Sequence, residues 1–179
     1  MNQLIIVNGK AFRTFISHDS ILARVREMCA ELRKRYQGKN PLFIGLLNGS
    51  FMFAADVMKY IEMDAEINFV RLASYRGMES SGEVQLNMGF ETSIADRDIV
   101  ILEDIIDSGR TLDYFLKLVQ QERPRSVAIA TLLLKPAAVQ TSVSADIVGF
   151  EIPNKFVVGY GMDYDGLGRN LRDIWQLAD

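Results

Sequence analysis

Three carboxylates and two hydroxyl side chains are crowded between Glu103 and Thr111. The acids are Glu103, Asp104 and Asp107, and the hydroxyls belong to Ser108 and Thr111. Hydroxyls and backbone N–H groups in a tight loop before a helix suit a phosphate group. Clustered carboxylates instead suit sugar hydroxyls or a hard cation such as Mg²⁺. A phosphorylated sugar with Mg²⁺ would satisfy both halves of the segment.

The flanking residues predict a strand, a loop and a helix in that order. Ile99–Leu102 is a short run of branched apolar residues, typical of a strand buried on both faces. The apolar residues after the loop recur at helical spacing, at Leu112, Phe115, Leu116 and Val119. A solvated acidic turn with Asp107 as an ordinary helix cap is the simpler alternative. Two adjacent acids directly after a buried strand, followed by D-S-G-x-T, favour a ligand site.

Ile99–Leu112 resembles the phosphoribosyl-pyrophosphate signature of the type I phosphoribosyltransferases. The phrase K-F-V-V-G-Y-x-x-D-Y at Lys155–Tyr164 narrows the resemblance to the hypoxanthine (hypoxanthine-guanine) phosphoribosyltransferases. This resemblance runs through nearly the whole chain. It implies transfer of the 5-phosphoribosyl group from phosphoribosyl pyrophosphate to hypoxanthine or guanine, with Mg²⁺, giving IMP or GMP and pyrophosphate.

The resemblance also implies roles for the acidic segment. Glu103 and Asp104 would contact the ribose hydroxyls or a metal-bound water, and Asp107 would be the general base that takes a proton from the purine. Phosphoribosyl pyrophosphate would be bound by the loop residues Asp107, Ser108, Gly109, Arg110 and Thr111, with Ser108–Thr111 holding the 5′-phosphate. The implied metal ligands are Glu103, Asp104 and Asp163.

The purine would lie against residues from the C-terminal third. By resemblance Lys135 donates to the purine 6-oxygen, Phe156 stacks on the base and the Val157 backbone hydrogen-bonds it. Asp163 would hold a second Mg²⁺ beside the purine. Without the resemblance, Lys135 is a surface lysine at a strand end, and Phe156 is a core aromatic.

A second strand–loop–helix unit follows Leu42–Leu47, with Asn48-Gly49 at the turn. The residues alone leave open a second anion site or an ordinary βα turn. The resemblance implies a pyrophosphate-binding loop, and some family members have Lys where this chain has Asn48. Arg169 falls where the family has a pyrophosphate-contacting arginine, although an exposed arginine could be inert. Ser74 and Tyr75 match the start of the family's lid loop.

The composition argues against several other classes of protein. The 179 residues are 49% hydrophobic, which fits one domain with a sizeable core. The net charge of −3 argues against a dedicated nucleic-acid binder. One Cys and one His exclude a disulfide framework and a Cys/His zinc site, and they disfavour a hydrolase triad. No signal peptide or membrane-length apolar run is evident, so a soluble, cytoplasmic protein is expected.

Alternating strands and helices predict an α/β fold: a mostly parallel twisted sheet with helices on both faces. We expect a core at about residues 20–150 and a small hood built from 1–15 and 151–179. Ligands of such sheets bind at the carboxyl ends of the strands. That rule gathers Asp107–Thr111, Asn48-Gly49, Lys135 and Asp163 around one crevice.

Two alternatives stay open at this stage. One is a non-catalytic regulator that senses phosphoribosyl pyrophosphate while binding nucleic acid, which the acidic charge disfavours. The other is a different base preference within the family, such as xanthine or a pyrimidine. Small-molecule substrates, no nucleic acid and no membrane are expected as partners, and the resemblance implies a homo-dimer or homo-tetramer.

Overall fold

The computed structural model describes residues 3–73, 85–86 and 92–178. Its strands are β1 (Leu4–Val7), β2 (Lys10–Ile16), β3 (Leu42–Leu47), β4 (Glu66–Ala73), β5 (Gln85–Leu86), β6 (Asp98–Ile106), β7 (Ser126–Leu134), β8 (Ile147–Glu151), β9 (Val157–Val158) and β10 (Ile174–Leu177). Its helices are α1 (His18–Tyr36), α2 (Phe51–Tyr60) and α3 (Arg110–Gln121), with a short 3₁₀ turn at Pro136–Ala138.

The larger sheet has the strand order β5-β4-β3-β6-β7-β8. β4, β3, β6, β7 and β8 are parallel, and β5 pairs antiparallel with β4. Parallel strands need crossover connections, which α2 and α3 supply. This arrangement confirms the prediction of a mostly parallel sheet.

Helices cover both faces of this sheet, as predicted. In β6, Val100 and Leu102 belong to the core cluster formed with α1 and α2. Their neighbours Ile99 and Ile101 belong to the cluster formed with α3. Successive side chains of a strand point to opposite faces, so both clusters require apolar residues and the strand sequence is continuously hydrophobic.

A second, antiparallel sheet joins the two ends of the chain in the order β1-β2-β10-β9, and we call it the hood sheet. It confirms the predicted small hood of N- and C-terminal segments. β2 was not predicted as a strand, because its buried positions are widely spaced and its other residues are polar or half-exposed. Val157 of β9 and Ile174 of β10 lie in the same core cluster as α1 and α2. The hood sheet therefore packs into the main core.

Among the helices of the described segments, none is both long and apolar enough to cross a membrane.

Candidate active site

The two adjacent acids lie within β6, because the strand runs to Ile106. The expectation that the two adjacent acids come directly after the buried strand Ile99–Leu102 was therefore wrong. Glu103 pairs with Thr131 of β7, so the pleat continues through the acidic pair. Consecutive strand residues point to opposite faces. The two carboxylates consequently serve different parts of the crevice.

Glu103 lines a small cavity of about 90 Å³ together with the loop residues Asp107, Ser108, Gly109 and Thr111. Asp104 lines a larger neighbouring cavity of about 180 Å³. The lining of that cavity also includes Asp107, Lys135, Phe156, Val157, Met162 and Asp163. Asp107 borders both cavities and so lies between the predicted phosphate and purine ends.

The loop between β6 and α3 is built around Gly109. This residue is the N-cap of α3 with φ of +77°, a conformation that favours glycine. The predicted alternative of Asp107 as the helix cap is therefore wrong. Ser108 Oγ accepts from the Arg110 N–H at 3.4 Å, and the Ser108 carbonyl accepts from Gln140 N at 3.0 Å. Thr111 and Leu112, in the first turn of α3, line the small cavity, as a phosphate site requires.

The segment that braces this loop was missed by sequence reasoning. A β-carbon added at Gly109 would lie 2.5 Å from Thr141 Oγ1, so the Thr141 hydroxyl packs against the glycine backbone. Thr141 lies outside the strands and helices in a stretch without a recognisable motif. Its contact depends on the chain returning from β7, which no local pattern predicts.

Lys135 is a buried residue that contacts the predicted general base. Its ammonium lies 2.6 Å from Asp107 Oδ2. The Lys135 side chain is 6% exposed, whereas that of Asp107 is 54% exposed. A surface lysine at a strand end, the simpler alternative, is thereby ruled out. The pair places a donor-only cation beside a solvent-accessible carboxylate.

Phe156 presents its ring to the larger cavity and is 44% exposed. Behind it lie Phe12, at a centroid distance of 6.4 Å, and Tyr164, edge-on at 5.5 Å. An exposed aromatic face supported by other rings differs from the core aromatic of the simpler alternative. Val157, next in sequence, is buried and pairs with Gln176 of β10.

The Asn48-Gly49 turn lies directly against Asp104. A β-carbon at Gly49 would overlap the Asp104 carboxylate, so glycine is required for this approach. A β-carbon at Gly161 would likewise overlap the Gly49 carbonyl. The peptide between Leu47 and Asn48 is cis, and the Asn48 side chain is exposed. The turn after β3 therefore meets both β6 and the segment after β9.

Arg169 contacts the segment that meets the Asn48-Gly49 turn. Its guanidinium lies 2.6 Å from Asp163 Oδ1 and donates to the Gly161 carbonyl at 2.8 Å. The other oxygen of Asp163 accepts from Gly166 N at 2.7 Å. Arg169 is thus held in place by two contacts, and it supplies positive charge near a turn whose Asn48 carries none.

The acidic pair is destabilised by its surroundings. Desolvation, reinforced by repulsion from Asp104, raises the pKa of Glu103 well above its usual range. Desolvation raises the pKa of Asp104 to about 6, a shift that the Arg169 charge partly opposes and the Asp163 charge reinforces. A cation bound beside either carboxylate would lower its pKa and relieve this cost.

The predicted metal ligands fit Mg²⁺ only together with a substrate. Within residues 3–73, 85–86 and 92–178, no three His, Cys, Asp or Glu side chains are grouped closely enough to hold an ion. Mg²⁺ often uses one or two carboxylates and takes its other oxygens from phosphates and water. Glu103 and Asp104, adjacent and raised in pKa, fit that pattern. The predicted lid residues Ser74 and Tyr75 lie outside the described residues.

The crevice therefore combines a phosphate-sized cavity, an acidic pair and an aromatic pocket with a buried lysine. A family model for the phosphoribosyl transferase domain matches residues 16–165. The chain belongs to this phosphoribosyl transferase family.

Individual relatives within this family carry more specific names. A hypoxanthine-guanine phosphoribosyltransferase of Bacillus subtilis is 45% identical over 160 residues, which are 89% of each chain. A bifunctional protein TilS/HprT of Listeria innocua is 44% identical over 160 residues, and the match spans a quarter (25%) of that longer protein. A crystal structure of a hypoxanthine-guanine phosphoribosyltransferase from Bacillus anthracis aligns with TM-score 0.87 and 34% identity, covering 92% of this chain and 98% of that one.

Proposed function

We propose that this protein is a purine-salvage enzyme that transfers the 5-phosphoribosyl group from phosphoribosyl pyrophosphate to N9 of hypoxanthine or guanine. The products are IMP or GMP and pyrophosphate. The observation that carries the proposal is the 2.6 Å contact between Lys135 and Asp107, beside the phosphate-sized cavity and the exposed Phe156 ring. Relatives that bear this activity in their names support it.

The 5′-phosphate binds in the small cavity at the first turn of α3. Backbone N–H groups and the hydroxyls of Ser108 and Thr111 donate to it, and the helix dipole adds attraction. The ribose hydroxyls face Glu103 and Asp104. Fixing the phosphate and the hydroxyls together orients the anomeric carbon toward the purine pocket.

Asp107 and Lys135 act on the purine. The base stacks on Phe156, the Lys135 ammonium donates to the 6-oxygen, and Asp107 takes the proton from the purine, most simply at N7. A donor-only group at the 6-position selects oxopurines, because the amino group of adenine is itself a donor there. The two side chains contact each other, so a bound purine must share or replace that contact.

The pyrophosphate leaves toward the corner formed by Asn48, Gly49 and Arg169. The half-buried backbone at Gly49 and the planar donor fork of Arg169 suit a highly charged anionic leaving group. Mg²⁺ would neutralise that group when bound. Asp104 and Asp163 line one cavity and would hold the ion there, and Glu103 would contact a metal-bound water. Asn48 is neutral, which makes Arg169 more important in this chain.

A pyrophosphate-release assay tests the proposal. Phosphoribosyl pyrophosphate and Mg²⁺ are incubated with hypoxanthine, guanine, xanthine, adenine or uracil, one base at a time. We expect release with hypoxanthine or guanine. Release confined to adenine or uracil would reject the specificity, and release confined to xanthine would establish the alternative of a xanthine-preferring enzyme.

Family membership also leads us to propose self-association as a homo-dimer or homo-tetramer. Light scattering coupled to gel filtration measures the mass directly. A mass near 20.2 kDa would identify a monomer and contradict this part of the proposal.

A further inference from the structure

Tyr160 lies at the centre of a turn with an uncommon backbone. The φ angles of Gly159, Tyr160 and Gly161 are +99°, +49° and +99°. A tyrosine in the left-handed region costs free energy and persists only where contacts hold it. The Tyr160 N–H donates to the Leu171 carbonyl at 2.8 Å, and its ring is 1% exposed. The Tyr160 side chain must supply the other contacts that stabilise this backbone conformation.

The Tyr160 hydroxyl donates to Asp56 Oδ2 at 2.5 Å. Asp56 lies on α2, is 8% exposed, and accepts from Lys59 Nζ at 2.9 Å through its other oxygen. Burial, together with the neighbouring Asp56 carboxylate, raises the pKa of the Tyr160 hydroxyl well above its usual range, so it stays a donor. Hydrogen bonds of this kind, from a neutral donor to a buried carboxylate, are among the stronger ones in proteins.

This bond joins the two segments that form the pyrophosphate corner. α2 starts at Phe51, directly after the Asn48-Gly49 turn. On the other side, Gly161 packs against the Gly49 carbonyl and its own carbonyl accepts from Arg169. The distance between the Gly49 backbone and the Arg169 guanidinium therefore depends on the position of the Tyr160 turn relative to α2, which the Tyr160–Asp56 bond fixes.

We propose that Tyr160 and Asp56 are positioning residues that set the affinity for the pyrophosphate end of the substrate. The inference rests on the proposed function, since it assigns pyrophosphate to the Gly49–Arg169 corner. Neither side chain lines the purine or phosphate cavity. Loss of their bond should weaken pyrophosphate contacts and leave purine binding unchanged.

Tyr160→Phe is the main test, because it removes one oxygen and keeps the ring. Asp56 would retain Lys59 and border a cavity of about 320 Å³ that also reaches Tyr160, so water can take the place of the lost donor. We expect the KM for phosphoribosyl pyrophosphate and the Kd for pyrophosphate, measured by calorimetry, to rise about tenfold. The KM for hypoxanthine should stay within about twofold.

Asp56→Asn provides a second route, since it preserves shape and removes the charge from the acceptor. If both variants act through one bond, the double variant should bind pyrophosphate no more weakly than the more affected single variant.

Tyr36→Phe is the matched control. Tyr36 is a buried tyrosine at the last turn of α1 and lines none of the three cavities described above. It should leave both KM values unchanged.

The outcomes separate this inference from the proposed function. If the unaltered protein releases no pyrophosphate with any purine, the proposed function fails. If the unaltered protein is active and Tyr160→Phe keeps wild-type pyrophosphate affinity, the positioning role is overturned. An equal rise in both KM values with a lower melting temperature would show a merely structural role and would overturn it as well. Should Tyr160→Phe not fold, the same comparison is made with Asp56→Asn.

Discussion

At the scale of single residues, Asp107 combines exposure with a buried cationic neighbour. Its oxygen lies 2.6 Å from the Lys135 ammonium while more than half of its side chain reaches solvent. A carboxylate in this position can meet a proton on an incoming base and is oriented by the lysine. This geometry supports the general-base role and leads to a direct test.

Asp107→Asn keeps the shape and can still accept a hydrogen bond from Lys135, but it cannot take up a proton. We expect kcat to fall by about 10²–10⁴. The KM for phosphoribosyl pyrophosphate should change far less, because the Ser108–Thr111 part of the loop is intact. Steady-state rates with hypoxanthine measure both constants, and near-normal kcat would reject the general-base role.

Asp104 shows what burial costs an acidic side chain. Its pKa is raised from 3.8 to about 6, so the folded state holds the proton more tightly than the unfolded chain. A raised carboxyl pKa means that stability falls as pH rises from about 4 to about 6 and stays low above that. Asp104→Asn should therefore stabilise the protein at pH 8 without Mg²⁺, by about 1–3 kcal/mol.

Urea denaturation at pH 8 and pH 4 measures this effect. At pH 4 the wild-type carboxyl is largely protonated in the folded state, so the gap between variant and wild type should narrow. Asp104 is half-buried and partly screened by solvent, so the lower end of the range is the better expectation. An Asp104→Asn variant less stable than wild type at pH 8 would contradict this prediction. We expect the variant to lose activity whether or not it is stabilised.

At the scale of elements, strands with strong local patterns could be read directly from the sequence. β3 has the predicted bounds, Leu42–Leu47, because it is a compact apolar run ended by the Asn48-Gly49 turn. β6 extends further than predicted, since the ladder with β7 carries the polar Glu103 and Asp104 as strand residues. Tertiary pairing thus overrode the local preference of these acids.

Contacts between distant residues could not be read in the same way. The Asp56–Tyr160 bond joins positions 104 apart in the chain, and the Gly109–Thr141 contact depends on the return of the chain from β7. Family resemblance pointed to Asp163 and Arg169, and yet their mutual ion pair became visible only in the structure. Local periodicity carries no information on such pairs.

The β6–α3 loop offers a test of one such contact. Gly109→Ala places a β-carbon in the left-handed region and 2.5 Å from the Thr141 hydroxyl. Backbone strain of about 1–2 kcal/mol adds to an overpacking cost of about 1–3 kcal/mol. We expect a loss of about 2–5 kcal/mol in unfolding free energy and weaker IMP binding.

Thr141→Ala supplies the companion variant, because it removes the hydroxyl that the new β-carbon would meet. In the double variant only the backbone strain should remain, so stability should recover to within about 1–2 kcal/mol of Thr141→Ala alone. Chemical denaturation of all four proteins closes the cycle. Strictly additive losses would show that the Thr141 contact does not constrain the loop.

At the scale of the whole molecule, the hood sheet and the parallel sheet share one core. Hood residues Val157, Tyr160 and Ile174 pack in the cluster that contains the buried faces of α1 and α2. The crevice lies between these two sheets. Asp107 and Lys135 follow strands of the parallel sheet, and Phe156 directly precedes β9 of the hood sheet. A site divided in this way keeps its geometry only if the two sheets stay docked.

This shared core predicts a single cooperative unfolding transition. The one tryptophan, Trp175, lies in β10 and reports on the hood sheet, whereas far-UV circular dichroism reports mainly on the helices. Ile174→Ala, at a fully buried position, should lower stability by about 2–5 kcal/mol. Both signals should shift to lower urea together and remain superimposed.

Leu4→Ala is the matched control for Ile174→Ala, since Leu4 belongs to the same sheet but is 67% exposed. It should change the unfolding free energy by no more than about 0.5 kcal/mol. If tryptophan fluorescence instead changed at a lower urea concentration than the helical signal, the hood sheet would be a separate folding unit. The two walls of the crevice would then be held together by the ligand, and activity would fall in urea before any helix melted.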